Sequence, residues 1–156
     1  MKDIIFQYKS GPSFGLIGKY CGNKSIEVLS DGSIICKSYL FNHDEPSTSE
    51  TIACLPEIAS QIEKVLVKHE NTLSNIPSRL SNGTLDGALD EFIFGKKKII
   101  ADNIKRTNIE EVKSRNPRYY EEYYENMIHE NAIIDIYTEI IAIINNYNLN
   151  IDMRGL

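Results

Sequence analysis

"SIEVLSDGSIICKSYLF", residues 25–41, is the stretch on which the fold turns. Ser25-Ile26-Glu27-Val28 alternates with a period of two, which puts successive side chains on opposite faces of a strand. Ser30-Asp31-Gly32 follows, and an Asp-Gly pair supplies the positive φ that a tight hairpin turn requires. Ser33–Phe41 is then apolar on both faces over much of its length, which predicts a central strand with other elements packed on it.

Upstream, Ile4, Phe6 and Tyr8 repeat the alternation, and turn residues at Gly11-Pro12-Ser13-Phe14-Gly15 and from Gly18 to Gly22 separate that strand from the next. A β-meander over residues 1–41 is the expectation. Downstream, the polar, proline-containing stretch 42–49 predicts a loop. A helix over 56–70 follows, with Pro56 suited to its first turn and Ile58, Ile62, Val65 and Leu66 at helical spacing. Residues 71–90 are irregular, with turn signals at Asn82-Gly83 and Asp86-Gly87. Strand character returns over 90–101, interrupted by Gly95 and Lys96-Lys97-Lys98, as a second hairpin or as one long edge strand guarded by lysines. Thr107-Asn108-Ile109-Glu110 is a capping-box pattern, and Asn116-Pro117 restarts the chain into a long helix reaching about Tyr147, so helices occupy 108–147. The order predicts one α+β domain: an antiparallel-rich β-sheet, helices packed mainly on one face, and a long C-terminal helix.

A chain of 156 residues with 42% apolar content can bury a core of its own. Asp3, Gln7 and Lys9 break up the first residues, so no secretory signal is expected and the cytoplasm is the expected compartment. Cys21, Cys36 and Cys54 are odd in number and widely spaced, which argues for reduced, partly buried thiols. The net charge of −5 is unevenly spread: residues 1–107 carry thirteen acids and thirteen bases, whereas 108–156 carry nine acids and four bases. That asymmetry repels nucleic acid and anionic membrane and steers basic partners to the C-terminal third.

Specific chemistry is hard to find. Gly15-Leu16-Ile17-Gly18-Lys19 fails as a P-loop, because Ser13 stands where the first glycine belongs and Tyr20 where the hydroxyl does. His129-Glu130 begins like a zincin motif, but position 133 is Ile, and the di-iron Glu-x-x-His pattern fails at Asn126. No G-x-S-x-G elbow is present. Phe92-Ile93-Phe94-Gly95-Lys96-Lys97-Lys98 mixes aromatics with bases, yet reads as a lysine-rich edge strand rather than an RNA-recognition strand. No cofactor or metal is expected, and no catalytic residue stands out.

The long helix carries the most informative surface. At 100° per residue, Tyr119, Ile133, Tyr137, Ile140 and Ile144 share one stripe, while Glu121, Glu125, Asp135 and Glu139 fall opposite it. The Ile133–Ile144 run is too short and too charged to span a bilayer, which needs roughly 20 apolar residues. Tyr120 and Tyr124 lie beside the carboxylates, and tyrosine is enriched at protein interfaces. The expected partner-binding face is therefore Tyr120, Glu121, Glu122, Tyr124 and Glu125, with Asp135 and Glu139 as outer members.

With its Phe14-Gly15-Leu16-Ile17-Gly18, Ser30-Asp31-Gly32-Ser33-Ile34-Ile35 and Asn82-Gly83-Thr84-Leu85-Asp86-Gly87 segments, the chain resembles the small immunity proteins of bacterial toxin systems, including those paired with contact-dependent growth-inhibition toxins. The resemblance is to compact, acidic, cysteine-poor α+β chains. It implies a cytoplasmic, non-enzymatic protein that binds a cognate toxin domain, often a basic nuclease, and occludes its active site. Two rival readings stand beside it: an enzyme using Cys21, His43 or His129, and a structural or regulatory subunit whose long helix pairs with its own copy.

Overall fold

Both edges of strand β1 (Ile4–Ser10) are occupied, and that places it at the middle of the sheet. On one side follow β2 (Lys24–Leu29), β3 (Ser33–Tyr39) and β4 (Pro46–Cys54), each antiparallel to the last. The chain then forms α1 (Pro56–Lys68), α2 (Glu70–Asn75) and a short β5 (Arg79–Leu80). On the other side of β1 lies the hairpin of β6 (Leu89–Phe94) and β7 (Lys97–Asp102), and β5 closes that edge as a parallel partner of β7. Helices α3 (Ile109–Arg115) and α4 (Pro117–Asn145) complete the chain. The computed structural model describes residues 2–10, 23–40, 43–83, 89–149 and 151. Within them the seven strands run in the order β4-β3-β2-β1-β6-β7-β5, an α+β architecture.

The core is one face of this sheet under α1 and α4. Phe6, Tyr8, Ile26, Val28, Ile34, Phe92 and Ile99 point to the helices and are buried. Ile58 and Ile62 of α1 and Ile133, Tyr137, Ile140 and Ile144 of α4 meet them. Each such side chain contributes about 1.5–3 kcal/mol on burial, less on a compact denatured state. Tyr137 sits at the centre, edge-on to Tyr8 at 4.8 Å and to Phe92 at 6.1 Å. Burial, and to a lesser extent the nearby Asp90 carboxylate, together push its phenol up to about 12.

Gly32 ties the first hairpin to the helical layer. Its φ of +85° suits the turn, and its N–H donates to the Leu29 carbonyl at 2.9 Å. The Leu55 N–H donates back to the Gly32 carbonyl, and a Cβ on Gly32 would lie 2.2 Å from the Leu55 oxygen. Only glycine lets the start of α1 approach this closely.

Several expectations change. The stretch 42–49 is not all loop: from Pro46 it belongs to β4, so the meander runs on to Cys54. An exposed edge strand needs no apolar alternation and tolerates proline at its first residue, so its polarity misleads. The strand at 33–39 is internal to the sheet, as expected, paired with β2 on one side and with the edge strand β4 on the other, with Ile34 on the helix side and Ile35 on the other face. Residues 71–90 are not wholly irregular, since α2 and β5 lie there. The alternative at 90–101 resolves as a hairpin turning at Gly95, whose φ is +60°. Asn108, not Thr107, caps α3, its side chain accepting from the Glu111 N–H at 3.2 Å. The turn residues expected between 11 and 22, Cys21, and the Asp86-Gly87 turn lie outside the described residues.

Candidate protein-docking face

Helix α4 starts where Asn116 accepts from the Tyr119 N–H at 3.2 Å and Pro117 takes the first helical position. No residue of α4 before Met127 is buried; from Ile133 onward the helix is sunk into the core. Its first half therefore stands proud of the sheet, accompanied by α3 and by the segment at Asn82-Gly83.

The four tyrosines divide into two pairs of tilted rings with different neighbours. Tyr119 and Tyr123, 4.6 Å apart, turn inward: the Tyr119 hydroxyl donates to the Asn82 carbonyl at 3.1 Å, and a Cβ on Gly83 would come within 2.5 Å of the Tyr123 hydroxyl. Tyr123 also donates to Glu122, and that bond raises its phenol pKa. Tyr120 and Tyr124, with centroids 5.0 Å apart, turn outward, and the Lys113 ammonium lies 5.4 Å from the Tyr120 ring. Tyr124 is 40% exposed and so is Ile128, one turn further on, an apolar residue that the helical wheel alone left unnoticed. Glu121, Glu122 and Glu125 are exposed around them, and no ion pair reaches any of the three among the described residues.

The outer members are differently placed. Asp135 pairs with Arg106, and Glu139 accepts from the Lys68 ammonium at 2.8 Å and meets His69 Nε2 at 2.8 Å. Those two partners, the lysine first, hold the Glu139 carboxyl below its usual range. Asp135 and Glu139 thus fasten α4 to the rest of the chain, while Tyr120, Glu121, Glu122, Tyr124 and Glu125 remain as the face, with Ile128 added to it.

Beneath that face lies the carboxylate of Glu130, which fits no metal motif. Glu130 is 1% exposed, and its Oε1 accepts from Asn126 Nδ2 at 3.1 Å and Asn82 Nδ2 at 3.3 Å. Burial pushes its carboxyl up to about 7, against the opposing pull of both amides and of Lys105. A signal was present in the sequence, since Glu130 stands three residues after Met127 and three before Ile133, on the buried side of the helix.

Of the groups considered for catalysis, Cys21 lies outside the described residues. Cys36 is half-buried, its thiol pushed up by burial and by Glu50; Cys54 is exposed and takes a bond from the Ser33 hydroxyl. His43 is exposed, and among the described residues no hydrogen bond joins a histidine to a cysteine. No group of three His, Cys, Asp or Glu side chains among the described residues is arranged to hold a metal ion. No helix among them is long and apolar enough to cross a membrane. No protein-family model matches the chain, and no curated protein matches it.

Proposed function

We propose that this chain is an immunity protein that neutralises a bacterial toxin domain by docking the first half of α4 against it. The observation that supports the reading most directly is the exposure of Tyr124 and Ile128 one turn apart, flanked by Glu121 and Glu125, which form no ion pair among the described residues. Aromatic and apolar anchors inside a ring of charge are the pattern that concentrates binding energy. The carboxylates would engage lysines and arginines that hold the toxin's own anionic substrate, and their field would speed encounter. A basic nuclease domain, of the kind paired with contact-dependent growth-inhibition systems, has this chemistry. Binding would occlude its active site without any reaction catalysed by the chain itself, in the compartment where the toxin acts, the cytoplasm.

The test is titration calorimetry of the chain against the toxin domain encoded next to it. Glu121→Lys/Glu125→Lys is expected to weaken binding by about tenfold or more, roughly 1.4 kcal/mol. An affinity unchanged within about threefold would remove this face from the interface.

A further inference from the structure

At the other polarity of charge, the chain carries an apolar cleft that the α4 face does not use. Helix α1 stops at Lys68, the chain turns at His69, and α2 sets off in a new direction. The tip of the β6–β7 hairpin stands alongside, fixed by the Gly95 N–H donating to the Ile5 carbonyl at 2.8 Å. Between them is a cleft of about 390 Å³, with Leu66, Val67, Leu73 and Phe94 forming its apolar surface and Lys96 and Lys97 its lip. Val67 is 72% exposed, more than any other large apolar side chain described.

The lip is positive. Lys98, the third lysine of the run, is 3.5 Å from Glu91 on the opposite side of the hairpin strand. Lys96 and Lys97 have no ion pair among the described residues, and Glu70 is the one carboxylate lining the cleft. An apolar floor under two free ammonium groups is complementary to an apolar group with carboxylates beside it.

We propose that this cleft is a second docking site, which takes a bulky apolar side chain presented from an acidic stretch of a partner protein. Small-molecule pockets enclose about 70–90% of their ligand. A cleft whose wall leaves Val67 largely in solvent covers only one side of its guest, as suits a side chain anchored in a larger surface. The site is opposite in charge to the Tyr124 face, so one patch on a partner cannot serve both, and the proposal stands independently of the toxin reading.

The test is selection from a random peptide display library on the immobilised full chain, followed by affinity measurement with a synthetic consensus peptide. Enriched sequences are expected to carry Phe, Leu or Trp flanked by Asp or Glu. Val67→Glu and Lys96→Glu/Lys97→Glu are each expected to weaken the peptide by about tenfold or more, while Glu121→Lys/Glu125→Lys leaves it unchanged. Thermal melts of all variants check that folding is intact, which the exposure of Val67 favours. Failure to enrich acidic apolar sequences, or binding that survives both cleft variants, overturns the proposal. So does concentration-dependent self-assembly of the free chain that Val67→Glu abolishes, because the cleft would then hold the Tyr124 face of a second copy.

Discussion

The hydroxyl of Tyr8 in the central strand donates to Asp90 Oδ1 at 3.0 Å, across 82 residues of chain and in the interior of the core. Asp90 is fully buried and also accepts from the Ile104 N–H, at 3.3 Å, so one carboxylate binds β1, β6 and the segment leaving β7. Removing a donor from a buried acceptor costs more than the bond contributes in water-exposed settings. Tyr8→Phe is expected to lower unfolding stability by about 1–3 kcal/mol in urea titration, with the m-value unchanged.

On α4 the prediction separates neighbours by their partners. Glu139 and Asp135 already form ion pairs within the chain, whereas among the described residues no ion pair reaches Glu121 or Glu125. Glu139→Gln and Asp135→Asn are expected to leave toxin affinity within about threefold, and to cost less than about 1 kcal/mol of stability each, as exposed pairs do. Tyr124→Ala is expected to cost about 1–2 kcal/mol of affinity with little effect on melting.

Glu130 makes stability depend on pH in a stated direction. Its carboxyl is raised to about 7 in the folded chain, from an ordinary value of 4.5, so the fold prefers it protonated. The stabilising contribution is complete below about pH 4.5, declines as pH rises, and is lost once pH passes about 7. The full amplitude is about 3 kcal/mol, and denaturant titrations between about pH 4 and about pH 8 read it out. Glu130→Gln keeps an oxygen acceptor for Asn126 and Asn82 without a charge, so it is expected to flatten the decline and to be the more stable form at alkaline pH.

Gly32→Ala meets two obstacles at once. The left-handed φ costs an alanine about 1 kcal/mol, and its methyl would collide with the Leu55 carbonyl, so the total is expected to exceed about 2 kcal/mol by thermal or chemical unfolding. A loss below about 0.5 kcal/mol would show that the contact between the hairpin and α1 is not rigid.

The parts of this architecture that follow from side-chain periodicity were legible in the sequence: the hairpin around Asp31-Gly32, helix α1, and the buried stripe of α4 at Ile133, Tyr137, Ile140 and Ile144. Strand β4 was not, because an edge strand is defined by its neighbour's backbone rather than by its own Ser-Thr-Ser-Glu-Thr side chains. The geometry of the proposed docking face was legible in part. The wheel placed Tyr124 beside Glu121 and Glu125, but the engagement of Glu139 by Lys68 and His69 joins residues about 70 positions apart and leaves no local pattern. Glu130 shows the reverse case, a carboxylate on the apolar side of a helix, whose burial becomes intelligible only once Asn82 is found opposite it.

The place of β1 between β2 and β6 has a consequence for how the chain acquires its shape. Its β2 side pairs with residues 24–29, soon available during synthesis, but its other side waits for residues 91–94. A nascent chain that forms the four-stranded meander before those emerge would have an unpaired inner edge, with Phe6 and Tyr8 lacking the cover of Tyr137. Contacts that span so much sequence are slow to close, and open strand edges are where partly folded chains stick to one another. Release from the ribosome before α4 has been made would therefore yield an aggregation-prone species, and the last helix, besides carrying the proposed docking face, would act as the seal on folding.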